Sequence, residues 1–136
     1  MKYDFSFDKL IIYGTEKAGI SLNVELRLGE SVAEVEAKID TGSSNCIFER
    51  KYGVQLGFDI EAGERQFFGT AAGSFIAFGH WVTLSTEDFS FDSMVFFAKE
   101  ENINRNVLGR HGWLDRVIIA INDYDGKLYL SRYEGE

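Results

Sequence analysis

The residues best suited to chemistry form an Asp-Thr-Gly triplet, Asp40-Thr41-Gly42, followed by Ser43 and Ser44. A strand-like segment over residues 34–39 delivers the Asp40 carboxylate into a tight turn, where glycine lets backbone N–H groups converge on it. Two carboxylates held in this way can share one proton and polarise a water molecule between them. The triplet occurs once in the chain. A pair of such carboxylates therefore requires two copies of the chain.

The other reactive side chains lack partners at a useful spacing. Cys46 is the single cysteine, which excludes an intrachain disulfide and a multi-cysteine metal site. It lies in an apolar run, and this predicts a buried structural thiol. His80 and His111 show no metal-ligand spacing. Ser43 and Ser44 have no matching histidine and acid for acyl transfer. No metal or organic cofactor is expected.

The triplet by itself has a plainer interpretation, because Asp and Gly together commonly form a polar turn that closes a strand. Two more landmarks favour the catalytic interpretation. Residues 69–74 are a run of small residues flanked by Phe68 and Phe75, which is the composition of a mobile hairpin end. Val107-Leu108-Gly109-Arg110 begins as a brief apolar strand stopped by glycine. The other Asp-Gly step, Asp125-Gly126, predicts a hairpin turn.

Composition limits the class of protein. The chain has 136 residues, which we expect to form one domain, 1–136. Twelve Phe, six Tyr and two Trp favour a β-rich fold. A net charge of −8 disfavours binding to nucleic acid or to an anionic membrane. No apolar run approaches the ~18 residues of a membrane span, and the N-terminus lacks the apolar centre of a signal peptide. We expect a reducing, cytoplasmic setting.

Hydrophobic alternation predicts the strands that position the triplet. Residues 21–28 alternate with a period of two and lead into a Gly29-Glu30 hairpin turn. Residues 31–39 carry two signals. Their apolar side chains alternate as in a strand up to Asp40, whereas residues 31–34 match a helix capping box. The β-branched residues and the short window between glycines favour the strand.

The rest of the chain is predicted to form short strands with little helix. Residues 49–56 predict a helical turn ended by Gly57, and residues 110–116 predict a short helix with Trp113 and Leu114 facing the core. Strands are predicted at 46–48, 75–84, 89–97, 107–109, 117–121 and 127–131, with a turn at 123–126. The chain contains no proline, so its strand edges must be charged, covered or paired with another chain.

The order of the three landmarks resembles that of the retropepsin-like aspartic proteases, the single-domain, homodimeric branch of the pepsin superfamily. The resemblance spans residues 20–131 and rests on the Asp-Thr-Gly-Ser-Ser turn at 40–44, the small-residue tip at 69–74 and the Val-Leu-Gly-Arg segment at 107–110. It implies a mostly β fold, a closed antiparallel β-barrel with one short helix near residues 110–116. It also implies a C2 homodimer that cleaves a peptide or protein substrate as an aspartic endopeptidase, without nucleic-acid or membrane partners.

The resemblance assigns roles to individual residues. Asp40 would be the catalytic residue, one from each subunit. Thr41 would hydrogen-bond across the dimer and Gly42 would shape the turn, while further support for the active-site loop would come from Ser43, Leu108 and Gly109. Substrate would be covered by a flap whose tip consists of Gly69, Thr70, Ala71, Ala72, Gly73 and Ser74. Apolar substrate pockets would be lined by some of Phe67, Phe68, Phe75 and Ile76.

Two other classes of function stay open at the level of sequence. One is a catalytically silent peptide-binding or dimerisation module with the acid-protease fold, since fold does not fix function. The other is a small-molecule-binding β-barrel, which predicts a stable monomer with an enclosed cavity.

The acidic end of the chain, residues 133–136, departs from the interleaved termini of retroviral enzymes, so the dimer interface is expected to differ from theirs.

Overall fold

The computed structural model describes residues 1–134. Within them, ten strands, one α-helix and two short 3-10 turns follow one another along the chain. The strands are β1 Lys9–Ile12, β2 Ser21–Leu28, β3 Ser31–Ile39, β4 Ile47–Phe48, β5 Glu64–Thr70, β6 Gly73–Thr86, β7 Phe89–Ala98, β8 Val107–Leu108, β9 Val117–Asn122 and β10 Lys127–Arg132. The helix α1 is Arg50–Leu56, and the 3-10 turns are Ile60–Ala62 and Leu114–Arg116. The prediction of a mostly β fold is confirmed.

Seven strands form one sheet in the order β2-β3-β8-β4-β7-β6-β5. Because β2 also pairs with β6, six of these strands close into a ring, and β5 lies outside it as an edge strand on β6. The remaining strands form a separate antiparallel sheet in the order β1-β10-β9. The sequence analysis predicted a closed barrel, and the structure shows this ring of six strands.

The ring contains parallel as well as antiparallel pairs, which adds detail to the prediction of a mostly antiparallel arrangement. Strand β8 is parallel to β3 and antiparallel to β4, and β4 is parallel to β7. The reason is topological. Strands β3 and β4 enter and leave the same turn, so they run in opposite directions. A strand inserted between them must therefore be parallel to one of the two.

The strand prediction for residues 31–39 is confirmed over the helical alternative. Ala33, Val35 and Ala37 are buried while their neighbours face solvent, which is the alternation of a sheet with one covered face. This strand pairs antiparallel with β2, with Val24 opposite Val35. The hairpin turn between the two strands uses the positive φ of Gly29, 59°. Pairing along eight residues of β2 outweighs the local capping signal.

The helix lies elsewhere than the short helix predicted at residues 110–116. That segment contains a single 3-10 turn, Leu114–Arg116, because Gly112 has a φ of 108° and β9 begins at Val117. The α-helix is Arg50–Leu56, where the sequence indicated a helical turn, and Gly57 ends it in the left-handed region with a φ of 92°.

The interior of the ring is filled by side chains. Leu26, Phe48, Leu84 and Phe97 are fully buried there, together with Trp113, whose indole N–H donates to the Thr86 hydroxyl at 3.1 Å. A second cluster packs beside it and consists of Ile47, Phe68, Phe75, Ala77, Phe96 and Val107. A small-molecule-binding barrel would need an enclosed cavity in the place that this packed core occupies.

The ends of the chain meet in the three-stranded sheet. The predicted turn at Asp125-Gly126 joins β9 to β10, and Gly126 has a φ of 66°. After β10, the Tyr133 N–H donates to the Arg116 carbonyl at 2.9 Å. Gly135 and Glu136 lie outside the described residues, so the expectation about the acidic tail stays a prediction. No helix within residues 1–134 has the length and apolar character needed to cross a membrane.

Candidate active site

The Asp40 turn follows β3 directly and is closed by backbone hydrogen bonds. The Asp40 N–H donates to the Leu108 carbonyl at 3.0 Å, and the Ser43 N–H donates back to the Asp40 carbonyl at 3.1 Å. The Gly42 N–H donates to the Asp40 carboxylate oxygen Oδ1 at 2.9 Å. A Cβ on residue 42 would lie 3.3 Å from that oxygen, so glycine keeps the space beside the carboxylate open. The Asp40 side chain is 36% exposed, which leaves it accessible to a ligand.

The segment at 107–110 lies directly behind this turn. Leu108 is fully buried and pairs with Ile39. A Cβ on Gly109 would lie 2.2 Å from the Asn45 carbonyl oxygen, so only glycine allows this close approach. The next residue, Arg110, donates its N–H to the Ser43 carbonyl at 2.9 Å. The structure thus brings Leu108 and Gly109 against the Asp40 turn, and the buried Ser43 connects the two segments.

Cys46 connects the same two segments through its sulfur. The Gly109 N–H donates to Cys46 Sγ at 3.4 Å, and the thiol lies 3.8 Å from the His111 carbonyl oxygen. Burial raises the pKa of the Cys46 thiol to about 12, although the hydrogen bond from Gly109 acts in the opposite direction. A thiol with this pKa stays protonated at neutral pH and is a poor nucleophile. The prediction of a buried thiol is confirmed.

Arg105 is a contact of Asp40 that the sequence analysis missed. Its Nη2 atom lies 3.4 Å from Asp40 Oδ2, and the two side chains are 32% and 36% exposed. Arg105 precedes β8, whose pairing with β3 places Val107 opposite Lys38. The sequence shows only an arginine two residues before the Val-Leu-Gly segment. Its contact with Asp40 depends on the pairing of Lys38 with Val107, 69 positions apart, which local patterns do not reveal.

The small-residue segment forms the tip of the β5–β6 hairpin, as predicted. Gly69 pairs with Ser74 and Thr70 with Gly73, so Ala71 and Ala72 make the turn itself. The Thr70 hydroxyl donates to the Gly73 carbonyl at 2.9 Å and accepts from the Ala72 N–H at 3.3 Å. All six residues are exposed. They are therefore free to contact a ligand or a second subunit.

The base of the hairpin is anchored by aromatic packing. Phe68 stacks on Phe75 with a ring separation of 5.7 Å and meets Phe96 edge-on at 5.3 Å. Both Phe68 and Phe75 are buried, whereas Phe67 is 61% exposed. Among the residues predicted to line apolar substrate pockets, Phe68 and Phe75 therefore belong to the core, whereas Phe67 faces solvent. A surface cavity of about 370 Å³ is lined by Phe67, Ser74, Phe75, Ile76, Lys99, Glu100, Asn102 and Ile103.

Two further cavities lie next to Asp40 and the hairpin tip. The first, of about 360 Å³, is lined by Ser21, Glu36, Lys38, Asp40, Asn104, Arg105, Asn106 and Val107. The second, of about 330 Å³, is lined by Thr70, Ala72, Gly73, Ser74, Phe75, Asn102, Ile103, Asn104 and Arg105. Asn104 and Arg105 line both cavities, so they connect the Asp40 carboxylate with the tip of the β5–β6 hairpin.

The histidines have structural surroundings. His80 Nε2 lies 2.8 Å from the Ile60 carbonyl oxygen, and its ring packs on Phe58 at 4.3 Å. His111 is exposed and lies 3.7 Å from Asp115. Across residues 1–134, no group of three or more His, Cys, Asp and Glu side chains is placed to hold a metal ion.

Comparison with known proteins identifies the fold. No protein-family model matches the chain, and no curated protein matches it in sequence. Among solved structures, a retropepsin-like aspartic protease from Rickettsia conorii superposes with a TM-score of 0.64 at 16% identity, covering 95% of this chain and 96% of that one. The EIAV protease complexed with the inhibitor HBY-793 superposes with a TM-score of 0.56 at 18% identity, covering 74% of this chain and 88% of that one. The chain therefore has a retropepsin-like fold.

Proposed function

We propose that the protein is an aspartic endopeptidase in which Asp40 of each subunit forms half of a catalytic pair across a homodimer. The observation that carries the proposal is the Asp40 turn, backed by β8, within a retropepsin-like fold. The accessible carboxylate follows a strand, and Gly42 donates to one of its oxygens. Residues 1–136 would act as one domain in a reducing, cytoplasmic setting, which the free thiol of Cys46 suits.

The reaction would use the two carboxyls as one acid and one base. The ionised carboxylate takes a proton from a water molecule held between the two, and the water oxygen bonds to the scissile carbonyl carbon. The protonated carboxyl donates its proton to the carbonyl oxygen. A proton then moves to the amide nitrogen as the C–N bond breaks, which releases an acid and an amine. Two like charges at hydrogen-bonding distance cannot both ionise cheaply, so the pair holds the single proton that this cycle needs.

The homodimer follows from the single copy of the triplet. Thr41 is exposed beside Asp40 and would hydrogen-bond across the two-fold axis to brace the paired turns. A C2 interface places the same residue of each subunit on both sides of the axis. Activity should therefore fall faster than protein concentration on dilution, once the dimer dissociates.

The flap would hold an extended peptide over the two carboxylates. Its outer strand β5 is an edge strand, and its tip residues 69–74 are exposed. Backbone groups at an edge can pair with an added strand, while alternate side chains of the peptide enter pockets. Phe67 and Ile76 line a cavity near the tip and would contact apolar side chains. Closure of the flap would exclude bulk water from the reacting bond.

The first test is cleavage of a mixed peptide library by the parent protein and by Asp40→Asn. The substitution keeps the size of the side chain but removes the base, so we expect kcat to fall by about 10²- to 10⁴-fold. Asp125→Asn is the matched control, since it changes the other Asp-Gly step of the chain, and it should cleave like the parent. Product formation is followed by mass spectrometry. Equal turnover by the parent and Asp40→Asn would end the catalytic proposal.

A catalytically silent module is the second candidate, and the contact between Arg105 and Asp40 favours it. An arginine on the carboxylate occupies one of the oxygens that hydrolysis requires. The library separates the two candidates. Peptide binding without cleavage, at every pH and protein concentration tested, would support the silent module and contradict the endopeptidase.

A further inference from the structure

Arg105 connects Asp40 with the tip of the β5–β6 hairpin, which is the proposed flap. It lines both the cavity at Asp40 and the cavity beneath the hairpin tip. The side chain is about one-third exposed, so solvent and ligands reach it. Lys38 lines the first cavity as well, which places two cations there in a chain of net charge −8. The same cavity holds the carboxylates of Glu36 and Asp40.

The hydrogen bonding of the Arg105 guanidinium is incomplete. Its single contact with Asp40 is 3.4 Å long, beyond the usual 2.7–3.2 Å range of such bonds. Its Nε atom is buried and has no hydrogen-bond partner among the described residues. A guanidinium presents its donors as a planar fork that fits a carboxylate with two parallel bonds. The present contact uses one arm of that fork.

The contact with Asp40 conflicts with the chemistry proposed above. The guanidinium takes an Asp40 oxygen that would otherwise bind the attacking water. Arg105 must therefore release Asp40 when substrate binds. Release leaves a guanidinium whose buried Nε has no hydrogen-bond partner among the described residues, and a substrate anion would supply one.

We propose that Arg105 selects substrates that carry an acidic side chain beside the scissile bond. The carboxylate of a substrate Glu or Asp would take the guanidinium in a bidentate pair and thereby free Asp40 for the reaction. A substrate without that carboxylate leaves Arg105 on Asp40. The inference rests on the proposed endopeptidase function, and it names Arg105 as a residue that determines specificity rather than as a catalytic residue.

The test uses matched decapeptides built around a bond that the parent cleaves. A single Glu is moved through the four positions that flank the bond, and each peptide has a twin with Gln at the same position. At pH 6 the Glu is ionised. At one or more positions, we expect kcat/KM for the Glu peptide to exceed that of its twin by about ten- to a hundredfold, as charge-assisted hydrogen bonds imply.

Variants at Arg105 show whether this residue is the cause. Arg105→Ala should bring the Glu-to-Gln ratio close to one. Arg105→Glu should reverse the preference, so that a Lys peptide becomes better than its Glu counterpart. Arg105→Lys keeps the charge without the fork, and it should retain a reduced preference for Glu. Arg27→Ala removes an exposed arginine in a different part of the fold and should keep the parental ratio.

The outcomes are distinct for the two proposals. If the parent's Glu-to-Gln ratio of kcat/KM is near one at all four positions, the inference is overturned while the endopeptidase proposal survives. A high Glu-to-Gln ratio that persists in Arg105→Ala has the same consequence. If the parent cleaves no peptide, the endopeptidase proposal fails, and the affinities of Asp40→Asn for the same peptides are measured by fluorescence anisotropy. If Asp40→Asn binds the Glu peptides more tightly than their Gln twins, and the double variant with Arg105→Ala does not, the result supports recognition of an acidic side chain by Arg105. Equal affinities for the Glu and Gln twins overturn it.

Discussion

Asp40 and Cys46 are two acids of one loop in opposite surroundings. The Asp40 side chain is 36% exposed and meets a backbone N–H and a guanidinium. Cys46 is fully buried, and its sulfur accepts from the Gly109 N–H. Exposure keeps the carboxylate available to water and substrate. Burial makes the thiol part of the support behind it.

The thiol of Cys46 predicts a pH dependence of stability. Burial raises its pKa from 9.0 to about 12, so the unfolded thiol ionises at a lower pH than the folded one. Its contribution to stability is complete below pH 9 and is lost as the pH rises toward 12. Over that range, the free energy of unfolding should fall by about 1.4 kcal/mol per pH unit on account of this group.

The measurement is urea unfolding of the parent and of Cys46→Ala at pH 8 and pH 10.5. The variant lacks the thiol, so the difference in unfolding free energy between the two proteins should shrink by about 2 kcal/mol at the higher pH. A difference that is the same at both pH values would show that the thiol ionises normally in the folded state.

Single residues were predictable from the sequence where chemistry and local pattern coincide. Asp40 was identifiable because a carboxylate, a glycine and a preceding strand stand in one short segment. Cys46 was predictable as buried because it begins an apolar run. Arg105 was not, since its contact depends on β8 lying beside β3, and no local signal encodes which distant strands pair.

At the scale of elements, β8 is the strand that joins the parts of the site. It lies between β3 and β4, and Gly109 at its end passes within contact distance of the Asn45 backbone. The cluster around Phe68 and Val107 connects the same strand to the base of the β5–β6 hairpin. Elements that are far apart in sequence thus share one packed unit next to the candidate active site.

Gly109 should tolerate no side chain. In Gly109→Ala, the new Cβ would lie 2.2 Å from the Asn45 carbonyl oxygen, so the backbone of the loop must shift. We expect a loss of about 1–3 kcal/mol in stability, or more. Gly69→Ala is the matched control, because nothing lies within 4 Å of a Cβ there, and its stability should stay within about 0.5 kcal/mol of the parent. Thermal unfolding followed by circular dichroism measures both, and equal melting temperatures for the two variants would contradict the packing described for β8.

Strands were predictable where apolar and polar residues alternate along the sequence. Strands β2, β6 and β7 were assigned correctly because apolar and polar residues alternate along much of each strand. Residues 110–116 form a 3-10 turn in place of the predicted helix, because Gly112 and the start of β9 leave too few residues for a helix. The parallel pairings of β8 and β4 escaped prediction because two-residue strands carry no period of their own.

At the scale of the whole molecule, the proposed enzyme is incomplete as a single subunit. The chain supplies one Asp-Thr-Gly triplet, and its fold is that of retropepsin-like proteins. The fold was predictable from three landmarks in the right order, even though identity to the superposed proteins is 16–18%. The two-fold arrangement of the proposed subunits stays a prediction, because an interface depends on surfaces that no sequence pattern in the chain specifies.

Activity of mixed dimers tests the shared catalytic pair most directly. Parent and Asp40→Asn are equilibrated at a ratio of one to nine, at a fixed total concentration at which the dimer is fully formed. If both carboxyls are needed, only dimers with two parental subunits cleave peptide, and activity should be about 1% of that of the pure parent, the square of the parental fraction. If each subunit works alone, activity would be about 10%, in direct proportion to the parental fraction, and that result would contradict the shared pair.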